Sequence, residues 1–266
     1  MKKSTKQSLF LLFLLPVFFL AACGSQSAAT VDITERIEEK PTLTWGVKVD
    51  TNLFGLYDIQ SSEIKGFDID IAKAITEEIT GDAANAEFVE VTSKTRIPLL
   101  KNGNIDAIIA TMTITEERKE QVNFSEIYFD AGQALLVPND SAIQSLDDLS
   151  ADTTVLAVKG STSAQNIREL SPDANVLELE NYSEAFTALQ SGQGDAVTTD
   201  NAILLGIIAD NPGYRLAGGN FTQEPYGIAI NKGQDAFLNE VNEALETIKA
   251  NGVYDEIYAK WIPEMK

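Results

Sequence analysis

The sequence predicts an α/β fold built from two similar lobes. Strand and helix patterns alternate from residue 41 to the end, the candidate buried strands are short continuous apolar runs, and one short unit occurs twice. In the first half, 43–49 reads as a strand and 67–79 as a helix, with Ile71, Ala72, Ile75 and Ile79 on one face and Gly81 as its stop. A strand over 87–91, a short helix over 96–102 and an apolar strand over 105–110 follow. Thr115 then caps a helix that starts with Glu116 and Glu117.

The second half repeats this grammar. Strands are predicted at 154–158, 176–179 and 196–199, with helices running to Leu170, over 183–190 and after Asp200. A late strand at 227–230 precedes closing helices over 235–250 and 254–261. The repeated unit is Leu100-Lys-Asn-Gly103-Asn-Ile-Asp106-Ala107, echoed by Leu189-Gln-Ser-Gly192-Gln-Gly-Asp195-Ala196. Leu, Gly, Asp and Ala keep their spacing, as expected if each lobe uses the unit once. Two lobes make a cleft, and ligands favour clefts at the carboxyl ends of strands.

The first residues read as an export leader. Lys2, Lys3 and Lys6 precede an apolar run over 9–20, too short to span a bilayer. Leu20, Ala21 and Ala22 lead to Cys23, the sole cysteine, which is the pattern of a lipidation site. Residues 1–22 are therefore expected to be a lipoprotein signal peptide and 23–40 a flexible tether, since 24–40 is small, polar or charged. Lobe 1 is expected to take 41–135 and 225–266, and lobe 2 residues 136–224.

The chain carries 20 basic and 40 acidic residues, a net charge of −20. Long-range repulsion disfavours nucleic acid as a partner. Histidine is absent, which removes the commonest general base and zinc ligand. There is no phosphate-binding glycine loop. Asp68 and Asp70 form a poor calcium motif and read as helix-start and surface residues. No metal or cofactor is expected.

Polar clusters follow the predicted strands. Thr111, Thr113, Thr115 and Arg118 come after one; Lys159, Ser161, Thr162 and Ser163 come after another. The Thr and Ser residues serve equally well as helix caps, and Arg118 as a surface partner of Glu117 or Glu120. In a cleft, Arg118 would instead offer a planar fork to a carboxylate. Asp200 can cap its helix or hold an ammonium group. Lys48, Ser93 and Arg96 sit near other strand ends.

These residues fall in a recognisable order. Gly66-Phe-Asp-Ile-Asp-Ile-Ala-Lys-Ala74, Val91-Thr-Ser-Lys-Thr-Arg-Ile-Pro-Leu-Leu100, Thr113-Ile-Thr-Glu-Glu-Arg118, Val122-Asn-Phe-Ser125 and Tyr254-Asp-Glu-Ile-Tyr-Ala-Lys-Trp261 together resemble the family 3 extracellular solute-binding proteins of ABC importers. The resemblance covers nearly all of 41–266. It implies a type II periplasmic-binding-protein fold, two α/β lobes joined by crossing strands near 133–138 and 224–228. It further implies a monomer on the extracytoplasmic face of the cell membrane, serving permease subunits.

By the same resemblance, Arg118 grips a free amino acid's α-carboxylate, with Thr113 in support and Thr162 and Ser163 meeting it from lobe 2. Asp200 takes the α-ammonium, aided by Thr111. Ser93 and Arg96 reach the ligand side chain, Lys48 adds a cation, and Tyr182 is a further contact. The motif around Ser93 resembles the glutamate, aspartate and glutamine branch, with Lys48 and Arg96 expected to favour a carboxylate. Ser93 replaces an aromatic residue that sandwiches the ligand in many relatives, so a small polar ligand is expected. Two other classes compete. One is an enzyme on the same fold, a dehydratase or murein-cleaving lyase, with Glu126 and Glu224 as its nearest acids. The other is a surface receptor or adhesin domain.

Overall fold

The computed structural model describes residues 31–263. The leader, Cys23 and the tether up to residue 30 lie outside the described residues.

Two five-stranded mixed sheets organise the chain. The first has the order β5 (Ala86–Glu90), β1 (Leu43–Val47), β6 (Ala107–Ile108), β13 (Glu224–Asn231), β7 (Val122–Ala131). The second has the order β10 (Asn175–Leu179), β9 (Thr154–Val158), β11 (Ala196–Asp200), β8 (Gln133–Pro138), β12 (Tyr214–Ala217). In each, a central strand pairs in parallel with two others, and an antiparallel strand follows. The sheets are therefore copies of one plan.

The sequence echo marks equivalent points in that plan. Gly103 and Gly192 both adopt left-handed backbone after a helix, with φ 72° and 73°. Asp106 Oδ2 accepts the Thr44 N–H at 2.8 Å, and Asp195 Oδ2 accepts the Thr154 N–H at 2.7 Å. The repeated aspartate thus staples a strand to the start of its parallel neighbour in each lobe.

Helices cover the sheets because their apolar faces need burial. α2 (Phe67–Thr80) buries Ile71, Ala72 and Ile75 and packs against α8 (Asp235–Ala250) and α9 (Val253–Trp261) in lobe 1. α3 (Arg96–Lys101) and α4 (Glu116–Gln121) are short and follow strand ends. In lobe 2, α5 (Ser163–Leu170), α6 (Tyr182–Gln190) and α7 (Asn201–Asp210) do the same work.

Several boundaries differ from expectation. The 105–110 run contributes only Ala107–Ile108 to the sheet. The 43–49 strand ends at Val47, which releases Lys48 to turn inward. β8 belongs wholly to the second sheet, so the first crossing lies at Gly132, between β7 and β8, rather than within 133–138. The return crossing runs over 218–223, before β13 rejoins the first sheet at Glu224 rather than at 225. The two crossings bond to each other: Phe221 N–H donates to Gln133 O, and Gln133 N–H to Thr222 Oγ1. A Cβ on Gly132 would meet the Thr222 carbonyl at 2.6 Å, so only glycine fits there.

The expected tether is also shorter. α1 (Ile33–Glu39) is an ordered helix, capped by Asp32, with Ile33 and Ile37 buried one turn apart against lobe 1. Arg36 pairs with Asp106 at 2.7 Å, and Gln234 bonds both Ile33 N–H and Val31 O. The charge of this segment hides a two-residue apolar stripe sufficient to dock it. A three-stranded antiparallel sheet of β2 (Asp50–Thr51), β3 (Gly55–Asp58) and β4 (Glu63–Lys65) was likewise unexpected. Among the described residues no helix is long and apolar enough to cross a membrane.

Candidate functional site between the lobes

The carboxyl ends of β1 and β11 and the short helices α3 and α4 carry the charged side chains Lys48, Asp200, Arg96 and Arg118. Lys48, one residue past β1, is buried and donates from Nζ to Ser93 Oγ at 2.9 Å. Its Nζ lies 5.1 Å from the centre of the Tyr182 ring, which comes from lobe 2. Burial, and then the nearby Arg96, lower its pKa to about 7. Arg96 opens α3, is buried, and donates from Nη1 to the Ala110 carbonyl at 2.7 Å. Burial, and then Arg118, bring it down to about 9. Its Nε has no protein partner.

Thr111 is held in left-handed backbone, φ 46°, unusual for a residue with a β-branch. Its N–H is fixed by Asp68 Oδ2 at 3.0 Å, and the Tyr128 hydroxyl donates to the other carboxyl oxygen. Asp68 is therefore buried rather than the surface residue expected, and desolvation raises its pKa to about 7. Its partners come from distant parts of the chain, which no local pattern shows. Asp70 does reach the surface, pairing with Lys260 at 2.7 Å.

Arg118 sits in α4, whose start Thr115 caps. Its guanidinium does not take a surface carboxylate. Nη1 donates to Thr113 O at 2.7 Å within lobe 1, and Nη2 to Gly160 O at 3.0 Å in lobe 2. Burial lowers its pKa, while Glu224 and Asp200 oppose the shift.

Lobe 2 supplies the acid. Asp200 ends β11, and its side chain makes no capping bond to α7. Oδ2 instead accepts from the Tyr226 hydroxyl, and the buried Oδ1 has no protein partner. Burial, and then Glu224, raise its pKa to about 7. Thr162 Oγ1 donates to Glu224 Oε2 and accepts from Gln133 Nε2, and Ser163 is buried at the start of α5. Tyr182 is buried, its hydroxyl accepts from Thr199, and burial raises its pKa to about 12. Lys159 lies apart, in an exposed ion pair with Glu180.

A groove of about 1060 Å³ opens beside this cluster, lined in part by Ser93, Thr113, Arg118, Gly160, Thr162 and Glu224. Lys48, Arg96, Thr111, Ser163, Tyr182 and Asp200 are buried and do not line this groove. Contacts between expected residues link Lys48 with Ser93 and Tyr182. Gly160, Gln133, Tyr226 and Asp68 were not anticipated. Among the described residues no cluster of His, Cys, Asp and Glu could hold a metal ion.

The profile of the bacterial extracellular solute-binding proteins, family 3, matches residues 43–264. The chain belongs to this family. Over 264 residues, 97% of each chain, it is 58% identical to a protein named the ABC transporter glutamine-binding protein GlnH of Bacillus subtilis (strain 168). A glutamine-binding protein of Geobacillus stearothermophilus is 53% identical over 85% of this chain and 91% of its own. Among solved structures, an ancestral arginine-binding protein bound to glutamine superposes with a TM-score of 0.78 at 44% identity, covering 84% of this chain and 98% of that one. As a family 3 solute-binding protein, the chain has the two-lobed type II fold and a substrate-binding rather than a catalytic role.

Proposed function

We propose that this protein captures free glutamine outside the cell and presents it, by closure of the two lobes, to the permease of an ABC importer. The observation that carries the reading is the burial of Arg118 and Asp200 around one gap, with Arg118 reaching from one lobe to a backbone carbonyl of the other. A zwitterion brings two charges that must both be paired when water is excluded. Arg118 meets the α-carboxylate, with Thr113 and the start of α5 at Thr162 and Ser163 beside it. The unpartnered oxygen of Asp200 meets the α-ammonium.

Side-chain choice falls to Lys48, Ser93, Arg96 and Tyr182. Lys48 is held near neutrality by burial and by Arg96, and Arg96 is already bonded to Ala110. Arg96, at about 9, keeps its charge at neutral pH, so the subsite offers hydrogen bonds to a carboxamide and a counter-charge to a carboxylate. The names of the two similar relatives favour the carboxamide of glutamine.

Cys23 is proposed to carry the lipid that anchors the protein to the outer face of the membrane, where it works as a monomer. Mass spectrometry of the membrane fraction should find a diacylglyceryl group on Cys23, and Cys23→Ser should release the protein.

Calorimetry with glutamine, glutamate, aspartate, asparagine and arginine tests the ligand. Glutamine should bind tightest, at order micromolar, about −8 kcal/mol. Tighter binding of glutamate, or binding of none of the five, overturns the assignment.

A further inference from the structure

Glu224 is the junction of a hydrogen-bonded network beside the gap. It is 3% exposed, the first residue of β13 and the point where the chain re-enters the first sheet. Its Oε2 accepts from Thr162 Oγ1 at 2.9 Å. Its Oε1 accepts from Asn166 Nδ2 and from Thr222 Oγ1, both at 2.9 Å. All three donors are neutral. Thr162 and Asn166 belong to lobe 2, at the start and first turn of α5. Thr222 belongs to the crossing segment itself, two residues away.

We infer that Glu224 is a positioning residue that latches the closed cleft, its carboxylate on the returning strand of lobe 1 being held by Thr162 and Asn166 of lobe 2. The inference rests on the reading of this chain as a cleft-closing amino-acid binder. A hinge at the crossings keeps Thr222 with Glu224 but carries α5 away from it. Opening therefore breaks two bonds to a buried carboxylate, while the third persists. Breaking bonds to an ionised group costs more than breaking neutral ones. The latch touches the hinge and borders the groove without needing to touch ligand, so it sets how long a closed complex lasts rather than which ligand enters. Gln133, at the other crossing, donates to the same Thr162 hydroxyl and extends the network to both linkers.

Stopped-flow kinetics of glutamine with the mature protein tests this. Asn166→Ala removes one cross-lobe bond from a half-buried helical site. It should speed dissociation about tenfold, leaving the association rate unchanged. Glu224→Ala removes both cross-lobe bonds and should speed dissociation at least as much. The double variant should be no faster than Glu224→Ala alone, because that substitution already removes the bond that Asn166→Ala removes. A dissociation rate for Asn166→Ala within twofold of wild type, or additive effects in the double variant, overturns the latch.

A ligand-independent measurement separates this from the choice of ligand. Spin labels at the exposed Ile59 of lobe 1 and Leu170 of lobe 2, with Cys23→Ser, report lobe separation directly. Asn166→Ala should shift the distances toward longer values. If wild-type protein fails to bind glutamine while this shift appears, the ligand reading fails and the latch stands. Unchanged distances overturn the latch whatever the ligand.

Discussion

The Arg118 guanidinium and the Gly160 carbonyl, 3.0 Å apart, belong to different lobes. Arg118 also bonds Thr113 O, so one planar fork is shared between the two halves of the protein. This geometry ties the proposed anion receptor to the relative position of the lobes.

Arg118→Ala should therefore abolish ligand capture. It removes one member of a buried charge pair and leaves a ligand carboxylate unpaired, a loss of about 3 kcal/mol or more, roughly 100-fold in Kd. Calorimetry at neutral pH measures it. Unchanged affinity would take the α-carboxylate away from this residue.

Gly160→Ala should weaken binding by holding the lobes apart. Gly160 has φ 77°, and an added Cβ would meet the Lys94 backbone, in the other lobe, at 2.8 Å. The left-handed backbone alone costs an alanine about 1 kcal/mol. Small-angle scattering with saturating glutamine should show a larger radius than wild type.

As the proposed ammonium receptor, Asp200 should couple binding to pH. Its carboxyl is held up at about 7, against an ordinary value of 3.8, so the folded, ligand-free protein keeps a proton that the unfolded chain has lost. Stability contributed by this group is present at low pH and is lost as pH rises through that window. Asp200→Asn should thus raise the ligand-free melting temperature at pH 8 relative to wild type, with the gap narrowing at pH 5, while destroying binding. In the proposed binding mode, taking up the α-ammonium requires ionised Asp200. Glutamine affinity should therefore fall as pH drops below about 7. Equal affinity at pH 5.5 and 7.5 would contradict the assignment.

Lys48→Met should discriminate between ligands. Lys48, with its pKa lowered to about 7, would give glutamine one hydrogen bond, whereas glutamate would draw on its charge as well. The variant should lose about 1 kcal/mol for glutamine and more for glutamate. Equal losses in a calorimetric comparison would remove Lys48 from ligand choice.

Ile37→Ala should destabilise lobe 1 by about 2 kcal/mol, the low end for a buried aliphatic truncation because the site lies on a terminal helix. Urea unfolding of the ligand-free protein checks it, and glutamine affinity should not change.

The doubly repeated sheet was legible because its strands are apolar runs and its helices end in glycine. α2 ends within a residue of its expected limit, at Thr80 before the left-handed Gly81. The paired Asp106 and Asp195 announced the two lobes because the same backbone staple demands the same side chain twice. β7 was not legible: its run carries Asn123, Ser125, Glu126 and Asp130, as an edge strand tolerates. Arg118 and Asp200 could be found as isolated charges at strand ends. Glu224 and Asp68 could not be assigned structural roles, because their partners, Thr162, Asn166, Thr111 and Tyr128, lie far away in sequence. Local patterns report strand ends; they do not report which distant donor satisfies a buried acid.

With a lipid at Cys23, as proposed, docking of α1 would decide which half of the protein is held still. Val31 is clamped to Gln234 on lobe 1, and only a few residues separate it from Cys23. Fully extended, that link reaches no more than roughly 30 Å. With the anchor proposed at Cys23, lobe 1 rides close to the bilayer as the stator. On that reading lobe 2 carries no such leash, and it would be the half free to swing as ligand enters and leaves.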